Sequence, residues 1–178
     1  ECPAQLLRNL VHFVSRDAMD IEGVGPAVLQ QMIETEMVRS PADLYYLREE
    51  DVANLERMGK KSARNAMEAI EKSKENDLSR LLYALGIRQV GAKAGHVLAA
   101  HFKSFEALSA SGLDELTEIP DIGPITAQFI LDWLGSAQSQ HLIGRLKAAG
   151  VNMEYLEKQV NSNFEGMTFV LTGTLQKF

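Results

Sequence analysis

A five-residue pattern recurs four times along this chain at nearly constant spacing. Each copy consists of an apolar residue, two variable residues, a second apolar residue and a glycine. The copies lie at residues 21–25, 55–59, 87–91 and 119–123 and are named turns 1 to 4. Their final glycines, at positions 25, 59, 91 and 123, are 34, 32 and 32 residues apart. One such pattern is common by chance, but four in register indicate tandem units of a single supersecondary type.

The units also group in pairs. The stretch from Ser40-Pro41 to Leu55 resembles the stretch from Ser104 to Ile119, 64 residues later. This longer period predicts two modules, residues 15–77 and 78–150, preceded by a helix within residues 1–14. Residues 151–163 are polar and aperiodic and predict a linker. Residues 164–178 contain one β-type run at 167–172 and predict the truncated start of another domain, so we expect the chain to be a fragment.

Each unit has the features of a helix, a tight turn and a second helix. Pro26 and Pro124 directly follow a turn glycine, at a first helical position that needs no N–H. Ser40, with Asp43 three residues on, has the form of a helix N-cap. The residues four beyond the glycines are Leu29, Ala63, Gly95 and Ala127, and the three small ones would let two helices cross closely. The predicted fold is all-α, with a short β remnant at the C-terminus.

The turns have a chemical property in common. A glycine turn that leads directly into a helix exposes unpaired N–H groups and the positive end of the helix dipole, which together bind phosphate well. We expect glycine there because the backbone must approach the ligand with φ values that other residues avoid. Alternatively, each glycine merely ends one helix and begins the next. Four turns in two pairs favour phosphate binding, since a pair could hold phosphates on both strands of a duplex.

The distribution of charge supports a nucleic-acid partner, although the net charge of −6 does not. Residues 57–103 contain ten basic and four acidic residues, a balance of +6, and the rest of the chain carries −12. Lys60, Lys61 and Lys93 follow turns 2 and 3, whereas the acids Asp20, Glu22 and Asp121 lie in or next to turns 1 and 4. We therefore predict that turns 2 and 3 dominate the affinity, unless these lysines are simply solvated. Aromatic residues make up only 7% of the chain, which favours double-stranded over single-stranded nucleic acid.

No catalytic centre or membrane segment is expected from the sequence. The histidines are scattered, at positions 12, 96, 101 and 141. The run from Gly59 to Ser62 lacks the first glycine and the preceding strand of a nucleotide-binding loop. Trp133 is predicted to pack in the core. The single cysteine, Cys2, excludes a disulfide framework and indicates an intracellular compartment.

The repeated turn resembles the helix-hairpin-helix motif of DNA repair proteins. Four copies in two modules, with the phrases at 18–25, 55–63 and 82–91, closely resemble bacterial NAD-dependent DNA ligase. Residues 164–175 resemble the opening strand of that family's BRCT domain. The run from Cys2 to Gln5 resembles the end of its four-cysteine zinc finger, so Cys2 would be the last zinc ligand, with its three partners missing here.

The resemblance implies a function for the parent protein. Such an enzyme adenylates a lysine with NAD, passes AMP to the 5′-phosphate at a nick and seals the strand during replication and repair, with magnesium and zinc as further cofactors. This chain lacks the lysine-bearing domain, so it would clamp nicked duplex DNA without being catalytic alone. The implied partners are nicked DNA and the other domains of the same ligase chain, in a monomeric, cytoplasmic and nucleoid-associated protein without membrane contact.

The DNA-contacting residues implied by the resemblance are those of the hairpins: Gly23, Gly25, Arg57, Gly59, Lys60, Lys61, Arg88, Gly91, Lys93, Gly123 and Thr126. One departure from the usual motif is clear. The motif has two glycines two residues apart, but Arg57, Gln89 and Asp121 replace the first glycine in turns 2 to 4. Two alternatives remain open: a helix-hairpin-helix domain of another repair protein, such as an excision nuclease or a junction-binding subunit, and a helical protein-docking module that uses its acidic surface.

Overall fold

The computed structural model describes residues 2–157, and within them the chain is helical, which confirms the all-α prediction for this range. The elements are α1 (Pro3–Val14), α2 (Pro26–Glu34), a 3₁₀-helix (Pro41–Tyr46), α3 (Glu49–Ala53), α4 (Lys60–Ser73), α5 (Leu78–Ala84), α6 (Ala92–Phe102), α7 (Phe105–Ala110), α8 (Leu113–Glu118), α9 (Pro124–Gly135) and α10 (Ala137–Ala148). Strand-like pairing in the described range is limited to one isolated antiparallel bridge, between Ser104 and Glu154. The predicted strand at 167–172 lies outside the described residues.

Each turn joins two helices that pack against each other: α1 with α2, α3 with α4, α5 with α6, and α8 with α9. The first apolar residue of every turn is buried, as Ile21, Leu55, Ile87 and Ile119. Burial of these side chains anchors the turns in the hydrophobic core. The turn glycines remain exposed at the surface.

Several local predictions are confirmed. Pro26 and Pro124 are the first residues of α2 and α9. The N–H of Ser40 donates to Asp43 Oδ2 at 2.7 Å, although the helix that Ser40 caps is a 3₁₀-helix. A Cβ at Gly95 would lie 3.0 Å from the carbonyl oxygen of Ser79, so α5 and α6 cross at a distance that suits glycine.

The two modules are joined by polar contacts as well as by the core. Arg145, on α10 of the second module, forms an ion pair with Asp43 in the 3₁₀-helix of the first. The hydroxyl of Tyr46 donates to the carbonyl oxygen of Arg145 at 3.0 Å, and the Arg145 guanidinium lies 4.8 Å from the centre of the Tyr46 ring. The α1 helix contributes a further link, since His12 Nε2 donates to the carbonyl oxygen of Tyr83 at 2.7 Å.

The described part of the predicted linker is docked onto the helical body. The N–H of Asn152 donates to the carbonyl oxygen of Lys74 at 2.8 Å, and its amide group donates to the carbonyl oxygen of Asn76 at 3.0 Å. The N–H of Leu156 donates to Asp77 Oδ2 at 2.5 Å. The sequence gives no sign of this docking, because it relies on hydrogen bonds to backbone groups and not on an apolar period. Residues 158–163 lie outside the described range.

The junction between the modules makes the stability dependent on pH. Burial opposes ionisation of Asp43, but hydrogen bonds from Arg145, the N–H of Arg39 and the hydroxyl of Ser40 outweigh it, so that the pKa of Asp43 is lowered from 3.8. Because the folded pKa lies below the unfolded one, this stabilisation is fully present above about pH 5 and is lost as the pH falls through the folded pKa.

We therefore expect Asp43→Asn to lower the free energy of unfolding at pH 7 by about 1–3 kcal/mol, since it leaves Arg145 without its charged partner. The difference from the wild type should shrink below about pH 4. Urea denaturation at several pH values measures both effects. Asp17→Asn, which alters an exposed carboxylate, is the control. A difference that does not vary with pH would contradict this account.

Candidate nucleic-acid interface

The four turns share one backbone conformation. Their third residues all adopt left-handed φ values: +85° at Gly23, +62° at Arg57, +66° at Gln89 and +69° at Asp121. This conformation costs a non-glycine residue about 1–2 kcal/mol. Turns 2 to 4 therefore keep the left-handed φ of turn 1 at this position without its glycine.

The final glycine of each turn serves a different purpose from the one predicted. Gly25, Gly59, Gly91 and Gly123 have φ values between −80° and −113°, which any residue adopts, so the expectation of unusual φ values at these positions is wrong. No heavy atom lies within 4 Å of a Cβ built on any of the four. What glycine provides here is the absence of a side chain, which leaves the backbone open to a ligand.

The helices that follow the turns begin with free N–H groups and no negative charge. No side chain caps α2, α4, α6 or α9, and none of these helices has an acidic residue in its first turn. Most other helices in the described range are either capped by a side chain, as α5, α7 and α10 are, or carry acids in their first turn, as α3 and α8 do. The exception is α1, which begins after Cys2. At all four turns, therefore, no capping side chain and no acid within the first turn of the helix compensates the positive end of the dipole.

The predicted basic residues differ in their surroundings. Arg57, Lys60 and Lys61 are exposed at turn 2 and form no ion pair with any residue of 2–157. At turn 3, by contrast, Lys93 Nζ lies 2.6 Å from Asp121 Oδ2. The guanidinium of Arg88 lies 4.6 Å from the centre of the Phe129 ring. Turn 2 therefore presents the free cations, whereas those of turn 3 are engaged with the fourth unit.

Within each module the two turns lie next to each other. In the first module Gly23 faces α4, where Ala66 lies 3.6 Å from a Cβ built on the glycine. Gln31, on α2, in turn accepts from the N–H of Glu56 at 2.7 Å. The second module has the same arrangement: Arg88 of turn 3 contacts Phe129 on α9, and Lys93 on α6 contacts Asp121 of turn 4. Each turn thus contacts the second helix of the other unit, a reciprocal arrangement that suits the two strands of a duplex. Thr126, which the resemblance implies contacts DNA, is half-buried in the first turn of α9.

Some features of the surface were not predicted. A cleft of about 430 Å³ lies between α1, the 3₁₀-helix, the end of α5 and the junction of α9 with α10. Trp133 lines this cleft and is only partly buried, so its predicted place in the core is only partly correct. His12 and His141 also line it. The cleft combines residues more than 100 positions apart, which no local pattern in the sequence could show.

Neither metal ligands nor a membrane-spanning element stands out among the described residues. Within residues 2–157 no group of three or more His, Cys, Asp or Glu side chains is placed to hold a metal ion. Cys2 is exposed and has a free thiol. No helix in this range combines the length and the apolar character needed to cross a bilayer.

Comparisons with known proteins agree with this geometry. Residues 15–72 match the family described as SAM-like helix-hairpin-helix tandem, and residues 80–143 match the helix-hairpin-helix motif family. Over 99% of its length the chain is similar to proteins named DNA ligase: 49% identical in Thermoanaerobacter sp. (strain X514), 53% in Carboxydothermus hydrogenoformans and 50% in Anoxybacillus flavithermus. The chain is a tandem helix-hairpin-helix region homologous to part of bacterial DNA ligase. It spans 27% of the length of each of these relatives.

The two glycine positions of the helix-hairpin-helix turn should respond differently to substitution. Gly23→Ala should lower the free energy of unfolding by about 1–2 kcal/mol, because alanine is strained at a φ of +85°. Gly59→Ser should change it by less than about 0.5 kcal/mol, because serine is a favourable N-cap and its side chain meets open space. Chemical denaturation of both variants tests this difference. Equal losses would contradict the separate roles given to the two positions.

Proposed function

We propose that this chain is the duplex-DNA-binding region of an NAD-dependent DNA ligase. The observation that carries the proposal is the set of four helix amino ends, each of which follows a turn with a left-handed residue, begins at a glycine, and has no capping side chain and no acid in its first turn. Such ends bind phosphate through backbone N–H groups. The homology to proteins named DNA ligase supports this partner over a docking module, and this parent over another repair protein.

The mode of binding follows from the groups at the turns. Backbone N–H groups and the lysines of turn 2 contact phosphates, which fixes the position of the chain on the duplex without reading its sequence. The reciprocal turns of a module hold one strand each, and the two modules together clamp the duplex around the nick from its minor-groove side. Turn 2 is the main anchor, because its cations have no partner among the described residues.

In the parent protein this region would hold the nicked DNA while other domains perform the chemistry. NAD would supply the AMP that activates the 5′-phosphate, and magnesium would assist the transfer. The role proposed for this chain is to bind and position the duplex. Cys2 can supply one thiolate to a structural zinc ion, but a closed site needs four ligands, so the described residues do not form a zinc site by themselves.

The proposal is tested by fluorescence anisotropy of the chain with a nicked duplex over a series of salt concentrations. We expect tight binding at low salt that weakens steeply and linearly on logarithmic axes, since phosphate contacts release counterions. Duplexes of unrelated sequence should bind equally well. Affinity that does not respond to salt, together with binding to a protein partner in the absence of DNA, would instead support a docking module.

The lysines of turn 2 provide a sharper test. The double charge reversal Lys60→Glu/Lys61→Glu should reduce the magnitude of the salt slope by about 2 and weaken binding far more than Ile125→Glu next to Pro124 does. Arg8→Glu/Lys147→Glu alters exposed residues that lie outside the four turns and the helix starts that follow them, and gives the same change in net charge. Losses of the same size in both double variants would show that overall charge, and not the turn, determines binding.

A further inference from the structure

The ion pair between Lys93 and Asp121 connects two turns that are both proposed to face DNA. Lys93 is the second residue of α6, directly after turn 3, and Asp121 occupies the left-handed position of turn 4. Their side chains are 81% and 54% exposed, so the pair lies at the surface. A phosphate that approaches the amino end of α6 would compete with Asp121 for the same ammonium group.

The first module has no such pair at the equivalent place. The position equivalent to Asp121, 64 residues earlier, is Arg57, which has nearly the same backbone conformation, with φ of +62° against +69°. The residue that corresponds to Lys93, two after the turn glycine, is Ala27. The two modules therefore share one turn geometry but have opposite charges at the left-handed residue of their second turn.

We propose that Asp121 lowers the affinity of the second module for duplex DNA, because it forms an ion pair with Lys93 in the free chain. This inference rests on the proposed function and extends it to an order of engagement. The first module, whose turn 2 cations form no ion pair within residues 2–157, binds phosphates at once. In most complexes Lys93 stays with Asp121 and makes no phosphate contact, so the second module contributes less and can release the duplex first.

Removal of the carboxylate should free one phosphate contact. We expect Asp121→Asn to bind a nicked duplex several-fold more tightly at 50 mM salt and to make the salt slope steeper by about 0.9. The gain should therefore shrink by about 3.5-fold when the salt is raised to 200 mM. Asparagine tolerates a left-handed φ as well as aspartate does, so the turn should keep its shape, which a thermal melt verifies.

Two further variants distinguish this effect from a general change in charge. Asp114→Asn removes one negative charge from an exposed residue of α8 that has no ion pair within residues 2–157, and should leave the slope unchanged. In a Lys93→Ala background, Asp121→Asn should have no more effect than Asp114→Asn. The four combinations at positions 93 and 121 form a double-mutant cycle that measures the coupling directly.

The proposal is overturned if Asp121→Asn and Asp114→Asn give parallel salt slopes, if Asp121→Asn weakens binding, or if its effect persists without Lys93. These results differ from a failure of the proposed function, in which the wild-type chain and every variant would show no salt-dependent binding to the duplex at all.

Discussion

The fold depends on a left-handed residue at the third position of each turn. That residue reverses the chain so that the apolar residues on either side of it point into the core, while the next helix begins at the surface. Arg57, Gln89 and Asp121 meet this requirement without being glycine, at a cost of about 1–2 kcal/mol each. Burial of a residue such as Ile87 or Ile119 contributes about 1.5–3 kcal/mol, which offsets this cost. The open backbone at the final glycine follows from the same geometry.

Much of this arrangement could be predicted from the sequence, because it is local and periodic. The near-constant spacing of the glycines gave the four units, and Pro26 and Pro124 gave the first residues of two helices. The distinct roles of the two glycine positions were not predictable, since φ depends on the turn that the whole unit forms. Contacts between units were missed for a related reason. The partners Arg88 and Phe129 are 41 residues apart, and nothing in either stretch of sequence specifies the other.

The net charge of −6 is a poor guide to the partner of this chain, because the charges are unevenly placed. Arg57, Lys60 and Lys61 at turn 2 have no ion-pair partner among the described residues, whereas the helices that begin with acids, such as α3 and α8, are not those that follow the four glycines. The docked stretch at 151–157 spans both modules and holds the connection at residues 74–78 in place. A body fixed in this way keeps the two pairs of turns at a set separation.

The central claim is that backbone N–H groups at the turns contact DNA phosphates. It is tested most directly by two-dimensional ¹H–¹⁵N NMR of the chain during titration with a nicked duplex. The account predicts that the largest shifts occur at the amides that begin α4, including Gly59 and Lys60, with smaller shifts at Ala27, Ala92 and Ile125. Shifts confined to the opposite ends of these helices, or to the surface around Tyr46, would contradict it.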